Sequence, residues 1–344
     1  MKVSIVIRDS WDGWVLRKIG LRLVDELVLH GIEAEYVTSP NPNSDVNHFL
    51  HFAFAVPVSG SLTTTAITHV DDAIKAKRLK DILLNGIDGG ICMSKYHMEE
   101  LIDYGVPREK ISWVLPALDN TQMRRIHFTI QCNCYADGRK NEDFFKKLAR
   151  SIDLEFAKFS FYGTGWEETA ELLEDAGAEV SIYTPSKDFA QDYVEMIKAL
   201  ESADFYVNTG WDEGSLGSLD AFINRTPMIL SAQGYHLSIP DNQTQFFNGY
   251  TEFEGIIEFI RAEQAKKQKD AENMSWQTYA KNHIAIWQAL SLGRSLPKPL
   301  IQKYGEGTQT FERGTLQPIL NLSWRKTIRR ASGILKRKLG FESK

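Results

Sequence analysis

Hydrophobic and polar positions define two kinds of segment along most of the chain. Short β-rich runs such as "VSIVIR" and "TAITHV" are separated by stretches with helical spacing, the first from Val15 to His30. Strands separated by helices of this length predict βαβ units, mostly parallel sheets and right-handed crossovers. A second series starts near Ile126 with "IHFTIQCNCY" and continues through "EFAKFSFYG", "EVSIY" and "PMILSA". The pattern predicts an α/β protein of two Rossmann-like domains whose parallel sheets face each other across a cleft.

The pattern becomes helical and polar near Thr251, and no further sheet is predicted after that point. We expect a first Rossmann-like domain over residues 1–122, a second over 123–275, a helix over 276–297 that packs back on the first domain, and a basic tail over 298–344. Ligands of such sheets bind at the carboxyl ends of the strands. The loops at those ends are therefore the candidate binding loops.

The acidic loop within Glu201 to Ile239 is the strongest of these candidates, because it lies between a buried strand and a predicted helix. Its carboxylates are those of Asp212, Glu213 and Asp220, the last inside the helix. Its small residues are Gly214, Ser215, Gly217 and Ser218. They leave backbone amides uncovered at a helix start, which suits a phosphate. The alternative is that Asp212 and Glu213 only cap the helix and interact with its dipole.

Cationic residues follow another predicted strand. Arg139 and Lys140 come after "IHFTIQCNCY" and before a predicted helix, where they could neutralise a phosphate, or else be solvated charges near a turn. Gly163 and Gly165, in "FYGTGW", let the backbone approach a nucleotide or form an ordinary turn between strand and helix.

Composition and charge argue against several classes of protein. The chain has 344 residues, 43% of them hydrophobic, and a formal net charge of -5, which gives no reason to expect nucleic acid. Its three cysteines are too few for a disulfide framework, and Cys132 and Cys134 are expected to be strand residues rather than zinc ligands. No signal peptide or membrane span is predicted, so we expect a cytoplasmic protein.

Several segments, in this order, resemble glycosyltransferase family 4 of the GT-B fold. "LLNGIDGGICMSKYHMEELIDYGVPREKISWVLPALD" resembles the link between the family's two domains, and "GRKNEDFFKKLA" resembles its lysine-bearing loop. "FYGTGW" resembles its "GxGP" turn, and the acidic loop resembles its "EGFGLPLLEAMACGVPVV" segment. The resemblance runs from about Thr68 to Ile239.

The resemblance implies a GT-B glycosyltransferase that moves a sugar from a nucleoside diphosphate to an acceptor hydroxyl, with retention and without a required cofactor or metal. The second domain would bind the donor, and the first would bind a glycan or lipid-linked acceptor in cell-surface glycan or glycolipid synthesis. Lys140, with Arg139, would hold the diphosphate, together with Gly163, Gly165 and the loop residues Gly214, Ser215 and Leu216. Asp212 or Glu213 would face sugar hydroxyls, and Asp220 the ribose diol.

The resemblance also gives residues of the first domain a role. His69, which ends a predicted strand, would lie against the donor sugar, where its backbone carbonyl or its imidazole could steady an oxocarbenium-like transition state. Gly13, in the first loop, would let the chain pass close to donor phosphate or acceptor. His48 and His51 lie on one predicted strand, "NHFLHF", where they would point to opposite faces and be packed rather than reactive.

Asp72 and Ser94 occupy positions typical of helix starts in the first domain. Asp71 and Asp72 follow His69 and are expected to begin a helix as an N-cap, not to bind a metal. Ser94 is expected to begin the next helix.

The acidic loop departs from the family pattern. Asp212 and Asp220 have the family's spacing of seven intervening residues, whereas Glu213, which precedes a glycine as the family glutamate does, is one residue closer. Either the acids are an Asp pair or the loop carries a one-residue deletion. The family's arginine before the lysine falls at Tyr135, so Arg139 and Lys140 would do both cationic tasks.

The final segment has seven Lys and Arg residues between Trp324 and Leu339 and no acid there. Its apolar residues could form one side of a basic amphipathic helix that binds an anionic membrane from the inner face, so truncation after Gln317 should abolish vesicle binding. A solvated tail is the alternative.

Two other functions remain open: a non-hydrolysing nucleotide-sugar epimerase, which would turn over without acceptor, and a non-catalytic nucleotide-sugar-binding protein.

Overall fold

A computed structural model describes residues 1–8, 13–186, 188–240 and 242–297. The chain divides into two compact units. The first contains Met1–Thr121 and the described chain from Asp270 onward, and the second contains Gln122–Lys269.

The first unit contains a six-stranded parallel sheet. Its strands are β1 (Lys2–Val6), β2 (Glu33–Val37), β3 (Val46–Phe49), β4 (Leu62–Ile67), β5 (Gly89–Cys92) and β6 (Ile111–Trp113). Its helices are α1 (Trp14–Leu29), α2 (Ala73–Asn85), α3 (Lys95–Asp103) and, after the second unit, α9 (Trp276–Ser291). The strand order is β2-β1-β3-β4-β5-β6, which reverses between β1 and β3.

The second unit has the same architecture. Its strands are β7 (Ile126–Ile130), β8 (Ala157–Tyr162), β9 (Glu179–Tyr183), β10 (Phe205–Asn208), β11 (Met228–Ser231) and β12 (Thr244–Phe247). Its helices are α4 (Glu142–Ser151), α5 (Glu167–Asp175), α6 (Phe189–Ser202), α7 (Leu216–Asn224) and α8 (Tyr250–Asn273). The strands are all parallel, in the order β12-β11-β10-β7-β8-β9. The predicted α/β class, with two Rossmann-like parallel sheets, is confirmed.

The strand order of the second unit determines where its loops meet. The chain runs from β7 through β8 to β9 in one direction, and then returns to place β10 on the other side of β7. The loops after β7 and β10 therefore leave adjacent strands toward opposite faces of the sheet. Such a topological switch point opens a crevice at the carboxyl edge, where open α/β sheets bind their ligands.

Aromatic side chains form most of the core beneath this edge. Phe145, from α4, packs edge-on against Phe159, Phe161 and Trp166, with ring centroids 5.7 to 6.1 Å apart. Phe145 and Leu148 are both fully buried and lie three residues apart, so they share one face of α4. This packing gives the loop before α4 a rigid base.

The boundaries of some elements differ from the sequence prediction. The predicted strand "NHFLHF" ends at Phe49, and His51 lies outside it, where its Nδ1 accepts a hydrogen bond from the Ala53 amide at 3.0 Å. The expectation that His48 and His51 point to opposite faces of one strand was therefore wrong. Asp72 and Ser94 cap α2 and α3 through their side chains, as predicted. Strand β12 was not predicted.

The first unit also contains the helix α9, which packs on α1 and β4. Trp287 of α9 is fully buried, and its Nε1 donates a hydrogen bond of 3.1 Å to Thr64 Oγ1. None of the helices in the described ranges is both long and apolar enough to cross a membrane.

Candidate active site

Three hydrogen bonds join the loop after β7 to the loop after β10. The Trp211 amide donates to the Arg139 carbonyl at 2.9 Å, and Thr209 Oγ1 donates to the Lys140 carbonyl at 2.6 Å. Asn141 Nδ2 donates to the Thr209 carbonyl at 2.6 Å, while Asn141 itself has a left-handed backbone with φ of 52°. These bonds fix the residue before α4 and the start of the acidic loop in one geometry.

An ion pair lies at this junction. Lys140 Nζ bonds Asp212 Oδ2, and Lys140 is only 8% exposed. A buried ammonium is stable only when it is paired and hydrogen-bonded. The structure thus brings together two predicted site residues that lie 72 positions apart in the sequence. The pair places one cation and one carboxylate at the switch point.

The segment Gly234–His236, after β11, holds the acidic loop from the other side. The Tyr235 amide donates to the Glu213 carbonyl at 3.0 Å. Gly234 has φ of 53°, and a Cβ there would lie 2.1 Å from the Glu213 carbonyl oxygen, so only glycine fits. Gly214, with φ of 125°, lies directly against the Tyr235 ring. The loop is therefore fixed by close backbone contacts.

Ser215 is the N-cap residue of α7, and a histidine accepts a hydrogen bond from its amide. The Ser215 amide donates to His236 Nε2 at 2.9 Å, and the Ser215 hydroxyl bonds the Tyr206 hydroxyl at 2.7 Å. Ser218 Oγ donates to the Ser215 carbonyl at 2.6 Å. The amides of Leu216 and Gly217, in the first helical turn, have no intrahelical acceptor because of helix geometry. Leu216 is exposed, whereas Gly217 is buried. Amides at this position of a helix suit an anion.

Burial controls protonation around this loop. The pKa of His236 is lowered from its ordinary value chiefly by burial, so the imidazole is neutral at pH 7. Burial likewise raises the pKa of Tyr206 and that of Tyr235. The loop therefore lies among neutral rings, and its charges are those of Asp212, Glu213 and Lys140.

Asp220 lies on α7 and interacts with the neighbouring helix. Its Oδ1 accepts a hydrogen bond of 2.8 Å from the Tyr193 hydroxyl of α6, and this bond raises the pKa of Tyr193. Leu216, one turn earlier on α7, is 76% exposed. The Asp220 carboxylate has a second oxygen with which to accept a hydrogen bond from a ligand.

Gly163 and Gly165, after β8, pack against the chain that follows β7. A Cβ on Gly163 would lie 2.4 Å from the Cys132 carbonyl oxygen, and one on Gly165 would lie 2.8 Å from that of Cys134. The Cys134 amide donates to the Thr164 carbonyl at 2.8 Å. Both glycines are therefore required by packing, and their contact with a nucleotide stays a prediction.

Arg139 interacts within its own loop. Its guanidinium lies 3.9 Å from the centre of the Tyr135 ring, a cation–π contact, and its Nε is 3.5 Å from Asp137 Oδ2. Unlike Lys140, Arg139 is exposed. The two neighbouring cations therefore have different environments.

Two predicted site residues lie in the first unit. His69 follows β4, is exposed, and has φ of 56°, a left-handed conformation that is uncommon for residues other than glycine. Its carbonyl accepts a hydrogen bond of 3.2 Å from Lys75 Nζ, and its ring stacks on that of His51 with centroids 6.5 Å apart. Gly13 is the N-cap residue of α1 with φ of -89°, and residues 9–12 of its loop lie outside the described residues.

His236 and Tyr235 were not identified from the sequence, although both contact the acidic loop. The only signal was "QGYH", a glycine and two rings directly after a predicted strand.

Among the described residues, no group of three or more His, Cys, Asp or Glu side chains could hold a metal ion. The candidate site is thus built from Lys140, Asp212 and the amides at the start of α7.

Fold and site together define a two-unit α/β protein with a buried lysine paired with an aspartate at a topological switch point. No protein-family model matches the chain, and no curated protein matches it in sequence.

Several solved structures are similar to the chain. TarM is 15% identical over 71% of this chain and 54% of its own, with a TM-score of 0.30. Anabaena HepE, solved with UDP and glucose, is 11% identical over 85% of this chain and 99% of its own, with a TM-score of 0.30. WaaB, a lipopolysaccharide outer core galactosyltransferase, is 14% identical over the same shares, with a TM-score of 0.33. Because the TM-scores are this low, we draw no conclusion about activity from these similarities.

Proposed function

We propose that this chain is a GT-B glycosyltransferase that moves a sugar from a nucleoside-diphosphate sugar to an acceptor hydroxyl. The observation that carries the proposal is the pair of Lys140 and Asp212 at the switch point, beside a helix start with available amides. A diphosphate needs a cation and N–H donors, and a sugar needs carboxylate acceptors for its hydroxyls. Both kinds of group occur in one loop junction of the second unit.

The diphosphate would bind to Lys140 Nζ and to the amides of Leu216 and Gly217. In the chain without ligand, Asp212 neutralises Lys140. A bound diphosphate would take over that task, which would leave the Asp212 carboxylate, with Glu213 beside it, to accept hydrogen bonds from the sugar. As the bond between sugar and phosphate breaks, the departing diphosphate gains negative charge, which Lys140 and the helix amides would stabilise. No step of this scheme needs a metal ion.

Asp220 would bind the ribose diol through its second carboxylate oxygen, while the Tyr193 hydroxyl orients the side chain. Arg139, Gly163, Gly165, Gly214 and Ser215 would line the rest of the donor site. His69 would lie against the donor sugar. Gly13, in the loop after β1, would let the chain pass close to the donor phosphate or the acceptor. The left-handed backbone of His69 supports this role, because such strain is retained mostly at functional sites.

We further propose that transfer proceeds with retention and serves cell-surface glycan or glycolipid synthesis. Both proposals rest on the resemblance to glycosyltransferase family 4. The membrane contact expected of the basic tail falls on residues 298–344, which lie outside the described residues, and it stays a prediction.

The experiment has two parts. A thermal-shift screen of UDP-, GDP- and ADP-sugars identifies the donor, since a bound ligand raises the unfolding temperature. Transfer is then measured with that donor for Asp212→Ala, Glu213→Ala and Asp220→Ala. We expect loss of transfer from at least one of the first two variants and weaker nucleotide binding from Asp220→Ala. Wild-type turnover in all three would refute the site assignment, and donor turnover without acceptor would indicate an epimerase.

A further inference from the structure

His236 is held in one tautomer by two backbone groups. Its Nε2 accepts the Ser215 N–H at 2.9 Å, and its Nδ1 lies 3.1 Å from the Ser231 carbonyl oxygen. A carbonyl oxygen can only accept, so Nδ1 carries the proton and Nε2 does not. The ring is fully buried, with no room to exchange these partners for water.

His236 is the last of three consecutive residues, Gly234 to His236, that contact the acidic loop. Gly234 packs on the Glu213 carbonyl, Tyr235 bonds that carbonyl and covers Gly214, and His236 bonds Ser215. Successive residues of one segment therefore fix successive residues of the other. His236 contributes a side-chain hydrogen bond to this contact, at the residue that precedes α7.

We propose that His236 is a positioning residue, and that its neutral form with the proton on Nδ1 holds the acidic loop and the first turn of α7 in the shape that binds the diphosphate. This inference rests on the proposed function and deepens it. His236 does not touch the donor in this scheme, because Ser215 lies between its ring and the free amides.

Protonation would reverse the role of Nε2. In the imidazolium both ring nitrogens are donors, so Nε2–H would face the Ser215 N–H and the bond would be lost. The charged groups around the ring are Asp212, which favours the imidazolium, and Lys140, which opposes it. Tyr235 and Tyr206 stay neutral, because burial raises the pKa of each. Glu213 faces the segment through its backbone carbonyl.

The direction of the pH effect follows from burial, which lowers the pKa of His236 below its ordinary value. The neutral form therefore predominates at and above pH ~6.5, and it declines as the pH falls through the lower pKa in the folded protein. If only the neutral form has the binding shape, nucleotide affinity falls by about tenfold per pH unit below that pKa.

Two variants separate the hydrogen bond from the titration. In His236→Gln the amide oxygen can accept the Ser215 N–H but does not titrate, and in His236→Leu no acceptor remains. His127→Gln is the matched control, because His127 is in the same unit and its pKa is also lowered by burial. His127 lies at the amino end of β7, where its Nε2 bonds Ser160 Oγ of β8. The probe is whichever of UDP, GDP and ADP binds the wild type most tightly, titrated between pH 5 and 8.

We expect His236→Gln to bind within about threefold of the wild type at pH 7.5, and His236→Leu to bind at least ~10-fold more weakly there. The ratio of wild-type Kd to Gln-variant Kd should rise by about tenfold per pH unit in acid. This ratio cancels the titration of the ligand's own phosphate. Wild-type affinity in His236→Leu, or a change in profile caused by His127→Gln, would overturn the proposal. So would a constant ratio over a pH range in which the His236 ring titrates.

A second measurement needs no nucleotide, and so keeps this inference distinct from the proposed function. In the unliganded protein, ¹⁵N spectra should give the His236 tautomer with the proton on Nδ1, and the Ser215 amide shift should follow the titration of that ring. If no nucleotide binds but these signals are seen, the proposed function fails while the coupling of His236 to the loop stands. A proton on Nε2, or a Ser215 amide that does not respond, would overturn the inference directly.

Discussion

Lys140 combines burial with charge at the residue scale. Its ammonium is nearly enclosed and is compensated by Asp212. Removing one member of such a pair leaves an uncompensated charge in a poorly solvated position, which costs more than the pair itself contributes. Under the proposed function, a ligand diphosphate would replace Asp212 without that penalty, because it brings its own negative charge. The pair with Asp212 compensates the Lys140 charge in the chain without ligand.

His69 gives a prediction at the same scale. Its left-handed backbone costs on the order of 1 kcal/mol in any residue with a Cβ, and glycine removes this cost. We expect His69→Gly to raise the free energy of unfolding, or leave it unchanged, while turnover falls at least ~10-fold because the imidazole is lost. Urea unfolding and initial-rate assays measure the two effects.

Arg225→Gly is the control for this prediction. Arg225 has φ of 58° at the end of α7, so its replacement should relieve similar strain and leave turnover intact. A His69→Gly protein with wild-type turnover would remove the His69 imidazole from the catalytic scheme.

Charges and glycines at strand ends are visible in the sequence, and they made Lys140, Asp212 and the small residues of the acidic loop candidates. The resemblance to glycosyltransferase family 4 favoured a binding role for Lys140, and the structure pairs it with Asp212. It did not identify His236, whose role depends on a hydrogen bond between residues 21 positions apart. A lone histidine carries no such information. Nor could the spacing of the acids show that Asp212, rather than Glu213, contacts Lys140.

At the scale of elements, the order of strands matters more than their number. The loops after β7 and β10 meet because β10 lies beside β7, and this pairing cannot be derived from periodicity. Strand β12 was missed because "TQFF" is only four residues long and its burial does not alternate. The longer alternating segments and the capped helices were predictable from local pattern.

The contact of α9 with the first sheet gives a prediction about pH and stability. His48, on β3, and His283, on α9, are both fully buried with ring centroids 5.3 Å apart. Burial lowers the pKa of His48 well below its ordinary value and that of His283 to about 4. Their Nε2 atoms have no hydrogen-bond partner among the described residues. Both rings are therefore held neutral.

The direction in which stability changes with pH follows from the linkage between proton binding and unfolding. Unfolding returns each ring to a pKa of about 6.5, so the unfolded chain binds more protons in acid, and stability is lost as the pH falls from ~6.5 toward ~4. His283 alone should account for on the order of 2 kcal/mol between pH 7.5 and pH 5. We expect His283→Gln to lose less stability than the wild type over this range in urea unfolding. His30→Gln, at the end of α1, is the control, and equal losses in wild type and His283→Gln would contradict the prediction.

At the scale of the whole molecule, one chain contains two units of the same architecture, each with a reversal of strand order. Alternating strands and helices made this α/β class predictable from the sequence. The diphosphate site that we propose is built entirely from the second unit, whereas His69 belongs to the first. Nucleotide binding should therefore respond to changes in the second unit, and transfer to changes in both.

The central claim is that the junction around Lys140 binds a nucleoside diphosphate, and calorimetric titration tests it most directly. UDP, GDP and ADP are titrated into the wild type, Lys140→Met, and Lys146→Met, a control lysine on α4 that is paired with Glu168. We predict that one nucleotide binds the wild type at one site and that Lys140→Met weakens its binding at least ~10-fold, as expected for loss of a charged hydrogen bond. Lys146→Met should bind as the wild type does. Equal binding by Lys140→Met and the wild type, or no binding of any of the three nucleotides, would contradict the account.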